Sequence, residues 1–429
     1  MKLATSILIC ALTALNGPGR AQEIPTVDGF VTRSVSNNDF DVNGFHVQCG
    51  AATQSITVGP SATGLLNQGC PAAPPFVGEH LKIYGSKNKK AQAVKADRIE
   101  ILLSNSGAVD GSAVIDTLFP GTLSSGELLL RADGRRMQVT GKSDIQWNAP
   151  LQTLADIKAG DWIEYKGKQD EQGTVVLSAA KLARASVGKG EEKLRTKNEF
   201  DPSTVPPSAK QGRASLAFTG IDPKRFPPYI DVAMQARIDE IGNKLIPAYQ
   251  RALPESDPAK INFRFQLIDT TWFRDALTLP SGIILVPHQV IERLQNDSQV
   301  ATVLADNIAT AIERQTYRSI PAGRALLAGE VGAAAVGAVV PGAFVVPSIL
   351  QVGGGQTIRV KAEEQSGRVS LGLLHDAGYD LDQAPLAWWL LAPKNPQPIA
   401  EISLPFRAEY LYRVLGESWH YTRDHQIKP

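Results

Sequence analysis

The chain has 429 residues, of which 43% are hydrophobic and 20% are charged. This composition is typical of a globular protein with two or three domains. The 44 basic and 43 acidic residues give a net charge of +1. This balance argues against nucleic-acid or polybasic membrane binding, because both need a strong local excess of Lys and Arg.

The first residues have the pattern of a secretory signal peptide. Lys2 gives a positive start, Leu3 to Leu15 form a short apolar run, and Gly19-Arg20-Ala21 form a small-x-small cleavage site. Residues 1–21 are therefore predicted to be removed, and the mature chain is expected to be periplasmic or extracellular. Cys10 lies in this segment, and the large residue before it argues against a lipoprotein signal.

Two cysteines, Cys49 and Cys70, remain once the signal peptide is removed. In an oxidising compartment an isolated pair is most simply one disulfide, and no zinc-ribbon spacing offers a thiolate metal site instead. We therefore expect a disulfide between Cys49 and Cys70. Two unpaired buried thiols are the alternative.

The segment from about residue 25 to 185 contains a repeat, with units at 25–103 and 107–185. Val27-Asp28-Gly29 in the first unit corresponds to Val109-Asp110-Gly111 in the second. Apolar and polar residues alternate over short runs separated by Gly, Asn and Asp, which is typical of half-buried strands joined by turns. The pattern predicts an all-β N-terminal part made of two small barrel-like repeats, with a sandwich as the other small all-β form.

Each unit also contains a run that begins and ends on glycine, Gly78 to Gly85 and Gly160 to Gly167. In tandem, the two units resemble a bacterial domain family of unknown function, family 5666. The resemblance implies a binding or spacer module, or a purely structural pair of barrels. No acid/base cluster is present, and neither is a basic groove with stacked aromatic residues of the kind that binds nucleic acid.

Residues 186–215 differ in composition from both flanking parts. They contain Gly188, Gly190 and three prolines, with mixed charges and few large apolar residues. Such a composition cannot bury enough apolar surface to order itself. We therefore expect a linker here, with a domain boundary.

From about residue 220 the spacing of apolar residues becomes helical. Asp297 is the expected N-cap of one helix, and Gly378 is the expected stop of another. Short apolar runs at 261–267 and 283–286 predict strands. The segments with helical spacing are 229–253, 297–315, 358–377 and 383–391.

One uncharged stretch, residues 331–350, is rich in Ala, Gly and Val. Pro341 and Pro347 weaken it as one continuous helix. Two interpretations stay open. The preferred one is a helical hairpin packed on the domain, and the other is a segment that dips into a bilayer and gives peripheral membrane contact.

Four segments of the C-terminal half are similar, in order and spacing, to the family-48 zinc metallopeptidases, the group of the CAAX prenyl proteases and HtpX. The resemblance covers about residues 229–415. It implies an α+β, mainly helical, metallopeptidase-like domain over residues 220–420. The segments are Asp275 to Gly282, Ile283 to Val286, Ser298 to Ala305, and Glu363 to Asp380.

The chemistry of that family depends on an H-E-x-x-H motif and a later Glu. The two His and the later Glu bind zinc, and the Glu between the His activates the metal-bound water. The matching positions here are Asp306, Asn307 and Thr310, and only the later Glu363 keeps its residue type. The acidic residue that the family has shortly afterwards is Gly367. Because an amide is no base and one carboxylate is no competitive zinc site, we expect no catalytic residue, zinc ligand or cofactor.

Two alternatives stay open at this site. Asp306, Thr310 and Glu363 could present oxygen ligands to calcium or magnesium, since these ions prefer oxygen donors. The chain could also be an active metalloendopeptidase that binds zinc at a divergent site.

The expected function is that of a pseudopeptidase, an inactive member of the peptidase fold that binds or scaffolds in the cell envelope. The expected partner is a polypeptide or an envelope protein. It would be held beside an exposed strand at 283–286, because an extended peptide can add to a strand edge. A purely structural envelope module, which binds no peptide, is the remaining alternative.

Overall fold

The computed structural model describes residues 24–58, 66–88, 90–102, 107–120, 127–170, 172–197, 226–270, 275–318, 354–392 and 399–419. The expected signal peptide, the later part of the expected linker and the uncharged stretch 331–350 lie outside these residues. Within the described part of the chain, no helix is both long and apolar enough to cross a membrane.

The first barrel lies between residues 27 and 102. The strands β1, β2 and β3 form an antiparallel meander, and β6 and β7 form an antiparallel pair. The sheet closes because β3 pairs with β7 in parallel and β1 pairs with β6. Its strands are β1 (Val27–Ser36), β2 (Asp39–Val42), β3 (Phe45–Gln48), β4 (Gln54–Val58), β5 (Leu66–Gln68), β6 (His80–Asn88) and β7 (Ala93–Leu102).

The second barrel repeats this arrangement, with β10 and β13 as the parallel pair. In each barrel five strands follow the closed order of the OB fold, and alternate side chains fill the interior. The prediction of an all-β part with barrel-like repeats is confirmed. The strands are β8 (Ala108–Leu118), β9 (Leu128–Ala132), β10 (Arg135–Val139), β11 (Asp144–Trp147), β12 (Trp162–Gln169) and β13 (Val175–Ala183).

Cys49 and Cys70 form a disulfide that joins the end of β3 to the chain after β5. The bridge closes a loop with a sequence separation of 21 residues. Such a loop loses about 3 kcal/mol of unfolded-state entropy in the chain-entropy model. Replacing both cysteines by serine is therefore expected to destabilise the first barrel by about that amount. Urea unfolding should show the same loss on reduction of the native chain, and equal midpoints before and after reduction would contradict it.

The expected linker begins with a helix, α1 (Lys189–Lys197). Composition gave no sign of it, because ion pairs rather than apolar residues hold it. Glu191 is buried and accepts hydrogen bonds from Arg195 at 2.8 Å and from Nε of Arg314 at 3.0 Å. The first third of the linker is therefore fixed to the C-terminal part.

The C-terminal part is mainly helical around a three-stranded sheet in the order β14-β16-β15. A π-helical turn, Leu415–Trp419, follows the last helix. The helices are α2 (Val232–Leu245), α3 (Ala248–Ala252), α4 (His288–Arg293), α5 (Asp297–Ile312), α6 (Gly354–Asp376), α7 (Gln383–Leu391) and α8 (Ile399–Val414), and the strands are β14 (Arg264–Ile268), β15 (Leu277–Thr278) and β16 (Ile283–Pro287).

Several helix ends differ from the sequence prediction, and two of the differences have a clear physical cause. The helix predicted over 229–253 is broken after Leu245, because Pro247 lacks an N–H donor and forces Ile246 into an extended conformation. The N-cap of α5 is Asn296, whose Oδ1 accepts from the Gln299 amide at 3.0 Å, rather than Asp297.

The strand at 283–286 is not an exposed edge, contrary to the expectation. β16 lies between β14 and β15, and each of its residues is buried. The continuous apolar run Ile283 to Val286 is the pattern of a strand covered on both faces. Its main chain already pairs on both sides, so a peptide cannot add there.

The second barrel packs against the helical part through a hairpin. Asp133 and Gly134 connect β9 and β10 with φ values of 56° and 62°, as a two-residue type I′ turn requires. The turn presses on α6 so closely that a Cβ at Gly134 would lie 2.2 Å from the backbone of Arg368. The Arg368 guanidinium donates to both carboxylate oxygens of Asp133, at 2.7 and 2.8 Å. A buried, bidentate ion pair therefore joins the two parts.

Candidate functional site

The positions that the sequence resemblance places at the peptidase motif lie where α5 packs against α6. Because α5 is apolar on nearly all sides, with Val300, Leu304 and Ile308 fully buried, it forms the centre of the helical part. Asp306 and Asn307 are carried into the interior with it and are 4% and 5% exposed. Burying a carboxylate or an amide costs free energy unless it finds partners.

Arg407 of α8 supplies the partner for the carboxylates. Its Nη1 lies 2.6 Å from Asp275 Oδ2 and 3.4 Å from Asp306 Oδ2, and its Nη2 lies 3.6 Å from Glu363 Oε1. Its Cζ lies 4.7 Å from the ring centre of Trp388, which adds a cation–π contact. One guanidinium, with a side chain 14% exposed, thus stands among three carboxylates from three parts of the chain.

A glycine in α6 lets α8 come this close. Gly367 lies one helical turn after Glu363, and a Cβ there would lie 3.3 Å from Cδ2 of Leu411 in α8. The small residue allows α8 to approach α6, and Arg407 can therefore reach between the helices.

Asn307 is held by hydrogen bonds within the protein. The Thr278 hydroxyl of β15 lies 2.7 Å from Asn307 Oδ1 and 3.0 Å from its carbonyl oxygen, and donates to them. The Asn307 Nδ2 donates to the Val303 carbonyl at 2.9 Å. Thr310 likewise donates to the Asp306 carbonyl one turn earlier, at 3.0 Å. These groups connect α5 to itself and to the sheet, and none is placed as a base.

The donor set does not fit the zinc ion that the peptidase family implies. Zinc prefers imidazole nitrogen and thiolate sulfur in a tetrahedron, whereas three carboxylates here contact Arg407. In the described parts of the chain, no group of three His, Cys, Asp or Glu side chains is arranged to hold a metal ion. Calcium or magnesium fits no better, because Arg407 already supplies the positive charge and Thr310 bonds to its own helix.

Neither protein-family models nor curated protein sequences match this chain. The geometry of the site gives Asp306, Asn307, Thr310 and Glu363 partners inside the protein.

The described histidines do not form a second site. Two belong to the first barrel and two to the helical part, and each lies beside a carboxylate instead of beside another histidine. The pairs are His46–Asp41, His80–Asp28, His288–Glu292 and His375–Asp376. His420 and His425 lie outside the described residues.

Sequence reasoning missed Arg407 and Asp275 as members of this site. The available signal was a charge imbalance. Asp306 and Glu363 were considered as ligands of one metal ion, and buried carboxylates that lie close together need a cation nearby. Arg407 lies about a hundred residues after Asp306, so no local spacing connects the two.

The site makes stability depend on pH. Burial raises the pKa of Asp306 to about 6, with Arg407 opposing the rise and Asp275 adding to it. A carboxyl whose pKa is higher in the folded than in the unfolded chain stabilises the fold below the unfolded value, near pH 4, and that stabilisation is lost as pH rises through 6. Between pH 5 and 7 the free energy of unfolding of the wild type should fall by about 1 kcal/mol more than that of Asp306→Asn. Urea unfolding across this range measures the difference, and a pH-independent difference would contradict the burial of an ionisable Asp306.

Proposed function

We propose that this chain is an exported, non-catalytic protein whose C-terminal domain is built like a family-48 metallopeptidase, and that it binds or scaffolds in the cell envelope. The observation that carries the proposal is Arg407. A guanidinium contacts the carboxylates of Asp306 and Glu363, at the positions that resemble metal ligands. An arginine in this place offers no open coordination position and cannot activate water.

The neighbouring groups support the same conclusion. Hydrolysis by a zinc peptidase needs a base beside the metal-bound water, and Asn307 is an amide tied to Thr278 and Val303. Loss of a general base alone typically lowers the rate by about 100- to 10,000-fold. The described contacts of the site also include no imidazole, so that both the zinc ligands and the base are missing there.

The rest of the molecule suits a scaffold. Buried contacts fix the second barrel to α6, and the close approach of Gly78 to Tyr412 and Gly416 joins the first barrel to the end of α8. The disulfide supports export, because such bonds persist in oxidising compartments. The proposed partner is a polypeptide or another envelope protein. It does not use β16, since that strand is central.

Proteolysis of casein tests the proposal. The wild-type chain is expected to cleave casein no faster than buffer, with or without added zinc. A variant that combines Asp306→His, Asn307→Glu, Thr310→His and Arg407→Ala restores the motif and removes the guanidinium. It should gain zinc-dependent cleavage if it folds, and its circular dichroism checks folding.

Cleavage by the wild type that a chelator blocks would overturn the proposal in favour of an active metalloendopeptidase. Chelator-sensitive cleavage by the wild type would decide this question whether or not the fourfold variant becomes active. A matched control is Arg407→Ala by itself, which removes the guanidinium without adding imidazoles and should remain inactive.

A further inference from the structure

A cavity lies away from the peptidase-like site, where the second barrel, α1 and the segment around α3 meet. Its volume is about 400 Å³, within the range of small-molecule sites. Its apolar wall includes Val114 of β8, Leu253, Ile261 and Ile312. The ring of Tyr249 also lines it, and its hydroxyl is buried.

The polar wall has an excess of positive charge. Lys158, Arg184, Arg195 and Arg314 line the cavity. Arg184 is matched by Asp161 at 2.9 Å. Arg195 and Arg314, in contrast, share the single carboxylate of Glu191.

Two guanidiniums on one carboxylate leave one positive charge without a partner of its own. Asp257 also lines the cavity, but its Oδ1 accepts from the Ala259 amide at 2.8 Å and so serves its own loop. With Lys158, the described residues at the cavity supply four cations against the three carboxylates of Asp161, Asp257 and Glu191. Charge in an apolar, partly enclosed space is costly unless it is compensated.

We infer that this cavity binds a small amphiphilic carboxylate, a molecule with one negative head group and an apolar body. The head group would pair with the cations around Arg195 and Arg314, and the body would lie against Val114, Leu253 and Ile261. One excess charge matches a monoanion better than a dianion. The assignment is independent of whether the peptidase-like site is active, because no residue is shared with Arg407 and its carboxylates.

The cavity's walls explain why the site would select its ligand. Arg195 is fixed by its bonds to Glu191 and to the Pro258 carbonyl at 3.1 Å. Arg184 is fixed by Asp161 and by the Asp156 carbonyl at 3.1 Å. Cations that are already held in place lose little conformational freedom when an anion arrives, and preorganisation of this kind favours binding.

Isothermal titration of the mature chain with octanoate tests the inference. Octanoate should bind with one molecule per chain, and octanamide, its neutral equivalent, should bind at least about tenfold more weakly because charge-assisted hydrogen bonds are lost. Octyl phosphate tests the charge of the head group. Binding of the phosphate about tenfold tighter than octanoate would overturn the assignment to a monoanion.

Two variants locate the binding. Ala185→Phe, at a half-buried wall residue, narrows the cavity and should weaken octanoate binding. Lys158→Gln removes an exposed cation at the cavity and should weaken binding by up to about fivefold. Lys142→Gln, exposed in the same barrel but not in the cavity wall, is the matched control and should change nothing.

Thermal unfolding checks that each variant folds. Absence of octanoate binding to the wild type would overturn the inference. Equal binding of octanoate and octanamide, or unchanged binding to a folded Ala185→Phe, would overturn it as well.

Discussion

Replacing Arg407 by methionine is expected to lower the free energy of unfolding by about 3–5 kcal/mol, the cost of leaving buried charges without their partner. Methionine keeps most of the volume, so that the loss reports charge more than packing. Without the guanidinium, Asp275, Asp306 and Glu363 lose the cation that the described residues place between them. Urea unfolding followed by circular dichroism measures the change.

The matched control is Arg413→Met, on the same helix. Arg413 is 46% exposed and lies 3.8 Å from Glu364, so its loss should cost about 1 kcal/mol or less. Adding Asp306→Asn to Arg407→Met should recover part of the stability, because it removes one of the buried carboxylates that have lost their partner. If Arg407→Met lowers the free energy of unfolding no more than Arg413→Met does, the guanidinium does not stabilise the three buried carboxylates.

Replacing Arg368 by methionine is expected to cost about 3–5 kcal/mol and to loosen the second barrel from the helical part. Asp133 is 3% exposed and receives two hydrogen bonds from Arg368 and one from the Tyr165 hydroxyl at 2.5 Å. Removing the arginine leaves this buried carboxylate with the longer contact to Nε of Arg135, at 3.6 Å. The Arg368 side chain also donates to the Tyr410 hydroxyl of α8, a bond that is lost as well.

Hydrogen exchange gives the readout for this interface. Amides of β9 and β10 should exchange faster in Arg368→Met, while those of the first barrel should change little. Arg33→Met is the control, since Arg33 forms an exposed pair with Asp39 and Asp41 and should cost about 1 kcal/mol or less. Unchanged exchange in β9 and β10 would show that the hairpin does not depend on the ion pair.

Local patterns predicted much of the fold. The alternation of apolar and polar residues predicted the barrel strands, and the internal repeat predicted a second barrel. Apolar spacing gave α7 at Gln383–Leu391, and Gly378, at a φ of 71°, ends α6 as expected. These features depend on periodicity or on one residue's conformational preference, so that a short stretch of sequence contains the whole cause.

The missed features are long-range and electrostatic. Helix α1 owes its order to Glu191 and Arg314, which are 123 residues apart. Arg407 joins Asp306 across 101 residues. The strands that pair with β16 were not predicted either. A continuous apolar run indicates burial on both faces, but it does not indicate which strands lie on each side. Such pairings are set by tertiary packing.

Arg407 supplies a positive charge that the carboxylates on α5 and α6 need, and a guanidinium provides it in a planar array of donors. In the proposed function, Arg407 stands in the place of a metal ion. The core then keeps its positive charge, and no open coordination position remains for hydrolysis.

The zinc content of the purified chain tests this central claim most directly. Metal analysis after dialysis against zinc should find far less than one zinc ion per chain, because Arg407 occupies the space between Asp306 and Glu363. One zinc ion per chain, lost on replacing Asp306 and Glu363 by their amides, would contradict the account.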